Sequence, residues 1–554
     1  MTVRDGIEPD TGSPRTERLQ AVLTELWREA LGTAAVGLDD HFFDLGGNSI
    51  TSVLISGRAR DLGLAVTTRL LFDNPTIRAL SSALLEADPG LSVAGWTGGE
   101  TIPLSPFQHS FLEQPSEPDV IELRAARRLD PALLRTALTT VCERHEALRL
   151  RFTHGPSQWV QSAAGPDGSI AFAHHDIRGS TTHTYAASAR HLVRNLAAGL
   201  DPASGPVLAA ALLDTEESGH LFLAVHPLAA DRYAQELLLG EISSVYEQLE
   251  NGTQPAPPAP ATPFSRWVRH LHDWLGSEEA ARELRYWLGL PQSVGTPWGT
   301  GPADPRPDAQ VTASAELSEE RTRALLDTLA HQPLIELLDV LLAATAGAIG
   351  SWTGVSRTLV DLECDGRRGL AADHDFSTTI GACTASFPFV ADLGEAGSTG
   401  EQVRAVRAAR RAVPHGGAGH GALRTLSLDP AVREQLAAGP EAAIRVRLPA
   451  APPPLFTEVA TGRAPGRHAL DVTGRLDDGR VRVSVTGRRD LASDKLTDRL
   501  AEEIVARMDK AAGELERGAD HPYTPHDFPL SGLDSEQLTK LLSGLNTDED
   551  TTQR

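Results

Sequence analysis

Over residues 16–31 the apolar positions Leu19, Val22, Leu23, Leu26 and Ala30 fall three or four apart, which is the stripe of an amphipathic helix. Thr16 can cap its start and Gly32 follows its end. A loop with Val36, Leu38, His41, Phe42 and Phe43 leads into Gly46-Gly47-Asn48-Ser49, and Ile50, Val53 and Leu54 then begin a second helical pattern. Leu70, Leu71 and Phe72 precede Asn74-Pro75-Thr76, where the proline suits the start of a short helix over 76–86. Residues 87–100 are rich in turn formers and read as a linker.

The longer remainder mixes both periods. A helix is expected over 131–142, and Leu221 to Val225 is an apolar run of strand length that ends at His226-Pro227-Leu228-Ala229-Ala230-Asp231. Residues 255–263 are proline-rich and predict a surface loop. Helical patterns resume over 267–287 and over 334–349, the latter apolar on nearly every side and therefore buried. Residues 480–486 alternate apolar and polar, as a half-buried strand does.

At 554 residues the chain is too long for a single core. Its 41% hydrophobic and 23% charged residues are those of a globular protein. No run approaches the roughly 18 apolar residues that span a bilayer, and an acidic segment follows Met1, so a cytoplasmic protein is expected. The net charge of −23 repels nucleic acid and anionic membrane, and neither is expected as a partner. Cys142, Cys364 and Cys383 lie far apart without CxxC spacing, which fits neither a disulfide framework nor a zinc site. No metal-ligand motif is present.

Ser49 follows two glycines and opens a helix. Unpaired N–H groups and the positive end of a helix dipole favour a phosphate on such a hydroxyl; an ordinary N-cap serine is the alternative. Phe42-Phe43-Asp44-Leu45-Gly46-Gly47-Asn48-Ser49 and Leu71-Phe72-Asp73-Asn74-Pro75-Thr76-Ile77 resemble the two signatures of the thiolation (peptidyl carrier) domains of nonribosomal peptide synthetases. The resemblance implies a small helical bundle over 15–88, between an N-terminus (1–14) expected to be disordered and a linker at 89–100. It also implies a 4′-phosphopantetheine on Ser49 holding an aminoacyl or peptidyl thioester.

Downstream, residues 411–424 around Pro414-His415-Gly416-Gly417, the segment Asp361-Leu362-Glu363-Cys364-Asp365-Gly366-Arg367, Ser386-Phe387-Pro388 and residues 523–533 resemble the condensation superfamily, within it the epimerization branch. The implied fold is α/β multidomain: the helical carrier, then a two-lobed chloramphenicol-acetyltransferase-like α+β body with lobes at 101–289 and 290–540 and a disordered tail at 541–554. That branch moves a Cα proton with the second histidine of a His-His-x-x-x-Asp-Gly motif and the glutamate of a Glu-Gly-His-Gly-Arg segment. Here the histidine is Pro227, the motif glycine Arg232, the segment's histidine Asp365, the Gly-Trp-Phe motif Gly381-Ala382-Cys383, and a late tyrosine His420. Glu363 is retained; its alternative reading is a structural carboxylate paired with Arg367 or Arg357. His226 and Asp231 match the motif and are expected to support the loop, and Arg232 is large enough to obstruct a tunnel mouth. His174-His175-Asp176 lacks the motif spacing and reads as an exposed strand end.

The resemblance therefore implies a carrier joined to a weakened epimerization-like body that presents cargo to a tailoring enzyme. The X domains of glycopeptide synthetases do this for haem oxygenases. The alternative is an active epimerase in which Glu363 works with His226 or His420; peptide-bond formation would need the same missing histidine. Expected partners are a phosphopantetheinyl transferase, an adenylation domain acting in trans or upstream, and other synthetase subunits. No stretch of the chain reads as an adenylation domain.

Overall fold

The computed structural model describes residues 14–87 and 101–517, apart from 32, 34–35, 48–50, 52–54, 56–58, 60–65, 67, 155–158, 166–169, 180–181, 256–261, 292–297, 299–308, 333, 371–374, 395, 450–452 and 463–467. Ser49, the 89–100 linker and the 523–533 motif lie outside the described residues. Residues 1–101 and 102–554 form two compact units.

In the first unit the helix Pro14–Leu31 begins two residues before the expected cap. Pro14 fits a first helical turn because its missing N–H would be unpaired there anyway, so Thr16 lies inside the helix and is buried. Leu19, Leu23 and Trp27 turn inward onto Phe42, Leu71, Ile77 and Leu80. The helices Thr68–Asp73 and Ile77–Ala87 complete the described bundle, and the Thr76 hydroxyl accepts the Ala79 amide at 3.1 Å as a cap.

The two carrier-like signatures meet in space. The Phe42 amide donates to the Pro75 carbonyl at 2.8 Å, and Phe43 packs on Phe72 with ring centroids 5.0 Å apart. Arg78 grips Asp39 with bonds of 2.7 and 2.9 Å. Gly46 has φ +90°, and a Cβ on Gly47 would lie 2.5 Å from the Phe42 ring. Glycines are therefore required in the turn that leads to Ser49.

The strands of the second unit are β1 (Thr101–Ile102), β2 (Val120–Ala125), β3 (Leu150–His154), β4 (Trp159–Ala163), β5 (Ala171–Asp176), β6 (Leu208–Asp214), β7 (Gly219–Val225), β8 (Gln310–Glu316), β9 (Arg357–Cys364), β10 (Ala385–Asp392), β11 (Ile444–Arg447), β12 (Phe456–Gly462), β13 (Leu470–Asp477) and β14 (Arg480–Arg488). They form a five-stranded sheet in the order β12-β2-β7-β6-β5, a six-stranded sheet in the order β10-β9-β11-β13-β14-β8, and a small third sheet β1-β4-β3. The largely apolar helix is Leu337–Thr353, buried against Asp494–Arg517 and Thr399–Arg411. The pattern over 267–287 resolves into two helices, Phe264–Leu275 and Glu278–Leu288, interrupted at Gly276 and restarted by a Ser277 cap.

Sheet pairing crosses the expected lobe boundary at residue 290. β12 leaves the C-terminal half and pairs antiparallel with β2 in the N-terminal sheet. Sequence pattern identifies a strand but not its distant partner, so this exchange is invisible before folding.

A buried ion pair joins the halves. Arg367 and Asp231 are 3.1 Å apart with side-chain exposures of 0% and 1%. Arg367 Nε donates to the Thr379 carbonyl (2.7 Å), Nη1 to Asp365 (2.8 Å) and Asp231 (3.4 Å), and Nη2 to Asp231 and the Gly381 carbonyl (both 3.1 Å). Its five N–H donors are thus all used. Asp231 also accepts the Ala234 amide (2.7 Å) as N-cap of helix Arg232–Glu250, and the Cys383 amide (2.6 Å). Asp231→Ala strands the guanidinium in the core and is expected to lower stability by about 3–5 kcal/mol, seen as a lower urea midpoint of tryptophan fluorescence; an unchanged midpoint would remove this pair from the account.

Candidate functional site

Residues 226–231 form a closed turn between β7 and helix Arg232–Glu250. The His226 carbonyl accepts the amides of Ala229 (2.8 Å) and Ala230 (3.2 Å), and its Nδ1 accepts the Leu228 amide at 3.2 Å. The ring hydrogen is then on Nε2 and the imidazole is neutral. Burial pushes its pKa down to about 4. The ring stands edge-on to Phe111, with centroids 5.6 Å apart. Pro227 follows it and offers no proton.

Glu363 lines a cavity of about 630 Å³ with Asp361, Ser386, His420, Arg445 and His468. Asp361 and Glu363 are two residues apart on β9 and so share one face. Arg445 on β11 is the register partner of Asp361, and Asp471 on β13 is the partner of Arg445. The row alternates negative, positive, negative, as cross-strand charges pair most favourably. Arg445 lies 3.8 Å from Glu363 and donates from Nε to Asp471 at 3.0 Å. Burial alone would raise the Asp471 pKa, but Arg445 and Arg447 outweigh it and hold it at about 2.

The partners expected for Glu363 are therefore replaced. Arg357 lies at the far end of β9 and pairs with Asp392 at 2.6 Å, while Arg367 turns into the buried network with Asp231 and Asp365. Strand register sets Arg357 opposite Asp392, whereas Arg367 lies beyond the end of β9. Arg232 does not line the cavity; it lies 3.8 Å from Glu236, one turn along its own helix. His226 does not line it either, whereas His420 does. His420 Nδ1 lies 3.2 Å from the Ser386 carbonyl, its ring meets Trp287 at 4.8 Å, and burial pushes its pKa down to about 4.

His468 carries no signal in the sequence. Its Nε2 is 2.8 Å from Asp361, whose other oxygen accepts the Ser386 hydroxyl. Residues 361 and 468 are 107 positions apart, and although Asp361 opens the segment that holds Glu363, no local motif marks His468. On the far edge of the five-stranded sheet His174 pairs with Asp214 at 2.9 Å, and His175 and Asp176 are exposed. Among the described residues no group of three or more His, Cys, Asp or Glu could hold a metal ion, and no helix is long and apolar enough to cross a membrane.

Residues 100–436 match the model of the condensation domain, and residues 21–84 that of the phosphopantetheine attachment site. The chain belongs to the condensation domain family. It places a carrier, whose group is 4′-phosphopantetheine, ahead of a condensation-superfamily body, in the manner of nonribosomal peptide synthetase modules. Tyrocidine synthase 2 of Brevibacillus parabrevis is 27% identical over 96% of this chain but only 15% of its own length. Surfactin synthase subunit 1 of Bacillus subtilis (strain 168) is likewise 27% identical over 96% of this chain and 15% of its own. The chain thus spans a small part of the curated relatives it matches. The condensation body shares its fold with the epimerization domain from the third module of tyrocidine synthetase B, at TM-score 0.69, 23% identity, 76% of this chain and 98% of that one.

The two low histidine values set a pH dependence for this body. Both folded pKa values lie below the unfolded value of roughly 6.5, so the unfolded chain binds more protons in between. Their stabilisation is full above pH 6.5 and is lost as pH falls toward 4, on the order of 3 kcal/mol for each ring. His415, raised chiefly by its hydrogen bond to Glu283, acts in the opposite sense. A His420→Gln variant isolates one ring: urea midpoints of the variant should fall less than those of the parent between pH 7 and 4.5, and parallel curves would contradict the buried neutral imidazole.

Proposed function

We propose that Ser49 bears the 4′-phosphopantetheine arm with its aminoacyl or peptidyl thioester, and that the condensation body is a platform that shows this cargo to a tailoring enzyme. It does not invert the cargo's Cα. The observation that carries this reading is Pro227. Epimerization needs a base on one face of Cα and an acid on the other, each worth on the order of 10²–10⁴ in rate, and proline can serve as neither. The neighbouring His226 is neutral and packed behind Phe111. Glu363 remains, but a single carboxylate removes a proton without returning one to the opposite face.

The carrier's turn supports attachment at Ser49. Its two glycines let the backbone close over Phe42 immediately before the serine, and the arm, when bound, supplies a flexible thiol that holds the cargo as an activated ester. Loading is assigned to a phosphopantetheinyl transferase and to an adenylation domain acting in trans or upstream. The competing reading, an epimerase pairing Glu363 with His420, draws on the cavity they share.

Incubation with coenzyme A and a phosphopantetheinyl transferase should add one arm, and Ser49→Ala should abolish the mass shift. With an L-aminoacyl arm in D2O, neither the parent nor Glu363→Gln should take up deuterium at Cα. Uptake by the parent that disappears in the variant would establish the epimerase and end the platform reading.

A further inference from the structure

The two faces of the five-stranded sheet are occupied differently. Ile121, Leu123, Leu221 and Leu223 belong to the main core, whereas Val120, Phe222 and Ala224 pack in a separate small core with Tyr185 and Leu192 of the helix Thr182–Ala198. Side chains alternate along a strand, so Glu122 on β2 and His220 on β7 share this second face. Ser218 stands two residues before His220, in the turn from β6. None of these residues lines the Glu363 cavity. The Ser218 hydroxyl lies 3.0 Å from His220 Nε2, and His220 Nδ1 lies 3.0 Å from Glu122 Oε1. Tyr185 donates its hydroxyl hydrogen to the same carboxylate and stands 2.9 Å from Nδ1. Burial alone would raise the Glu122 pKa, but the bonds from His220 and Tyr185 outweigh it and hold it below the usual value, so the carboxylate is ionised and only accepts. Nδ1 then carries the ring hydrogen, which leaves the Nε2 lone pair for the Ser218 O–H.

The turn fixes the serine. Its amide donates to Thr215 Oγ1 at 3.1 Å and its carbonyl accepts the Thr215 hydroxyl at 2.8 Å. Ser218 is half-buried, with the exposed Glu216 and Glu217 just ahead of it, so a small reagent can reach the hydroxyl. Tying the helix to the sheet needs only Tyr185, Glu122 and His220; the hydroxyl on the remaining ring nitrogen completes a nucleophile, a base and an orienting acid. We propose that Ser218, His220 and Glu122 form a second reactive site, in which Ser218 is the nucleophile toward short activated acyl esters. Ser218 Oγ bonds to the carbonyl carbon as the bond to the leaving oxygen breaks, and the Ser218 proton passes to His220 Nε2 and on to the leaving group, with Glu122 and Tyr185 as positioning residues that stabilise the imidazolium. Water activated by the neutral imidazole then hydrolyses the acyl-serine, which releases the carboxylic acid and restores the hydroxyl. On so open a turn the leaving group must be a good one, which selects activated esters over amides. Glu216 and Glu217 select neutral or cationic acyl groups over anionic ones.

The test uses the full chain as Ser49→Ala, so that no arm thiol competes, and an uncharged fluorophosphonate, which bonds to an activated serine oxygen with loss of fluoride. Peptide mass spectrometry should find the adduct on Ser218 and not on Ser204, an exposed serine whose hydroxyl bonds to the Asp201 carboxylate rather than to an imidazole. His220→Gln and Glu122→Gln should each slow labelling of Ser218 about 10²-fold with the far-ultraviolet circular dichroism unchanged. p-Nitrophenyl acetate should be hydrolysed faster than the anionic p-nitrophenyl hemisuccinate at low salt, and a further Ser218→Ala change should bring its hydrolysis to background. Labelling of Ser218 no faster than of Ser204, or equally fast in the folded chain and in urea, would overturn the reactive site whatever the variants do. Hydrolysis undiminished by Ser218→Ala would overturn the esterase, and equal rates with the two esters would overturn the choice of acyl group.

Discussion

The Asp231–Arg367 pair is the constraint on which the body depends. Two opposite charges withdrawn from water are tolerated only when every donor and acceptor is met, and here each bond recruits a different part of the chain. Asp231 caps the helix that starts at Arg232 and receives the Cys383 amide; Arg367 takes the carbonyls of Thr379 and Gly381. The turn 226–231, the end of β9 and the start of β10 are thereby set against one another. Asp365, standing where the branch has histidine, gives the guanidinium a second carboxylate, so that a departure from the catalytic pattern strengthens the framework.

The same framework explains why the fold does not depend on a titratable side chain at position 227. Pro227 lies in a turn already closed by the bonds of His226 to Ala229 and Ala230, and the cavity floor is held by a separate system across β9, β11 and β13. Glu363 stands beside the alternating row of Asp361, Arg445 and Asp471, 3.8 Å from an Arg445 that donates to Asp471 at 3.0 Å. Scaffold and chemistry are thus carried by different residues, although both derive from the same family motifs.

Much of this is legible in the chain itself. Local periodicity locates the carrier helices, β7, β14 and the buried helix Leu337–Thr353, because burial of one face or of all faces leaves its mark within a few residues. The glycine and aromatic signatures likewise point to a carrier, and Phe42, Pro75, Phe43 and Phe72 do come together. What cannot be read are the partnerships across long separations. Glu363 meets Arg445 and not Arg357 or Arg367, because the register sets Arg445 opposite Asp361 and so within 3.8 Å of Glu363, and Asp361 meets His468, which lies 107 residues away just ahead of β13. The start of the first helix also differs from its expected place, since capping by Thr16 and a proline first turn compete over the same few residues.

The excursion of β12 has a bearing on how such proteins can be recombined. A strand contributed by the later half completes the edge of the earlier half's sheet, so a chimaera joined near residue 290 would set β2 of one parent against β12 of the other. The side chains facing one another across that pair, from Phe456 opposite Ala125 to Gly462 opposite Val120, then become the fit on which such an exchange of parts depends.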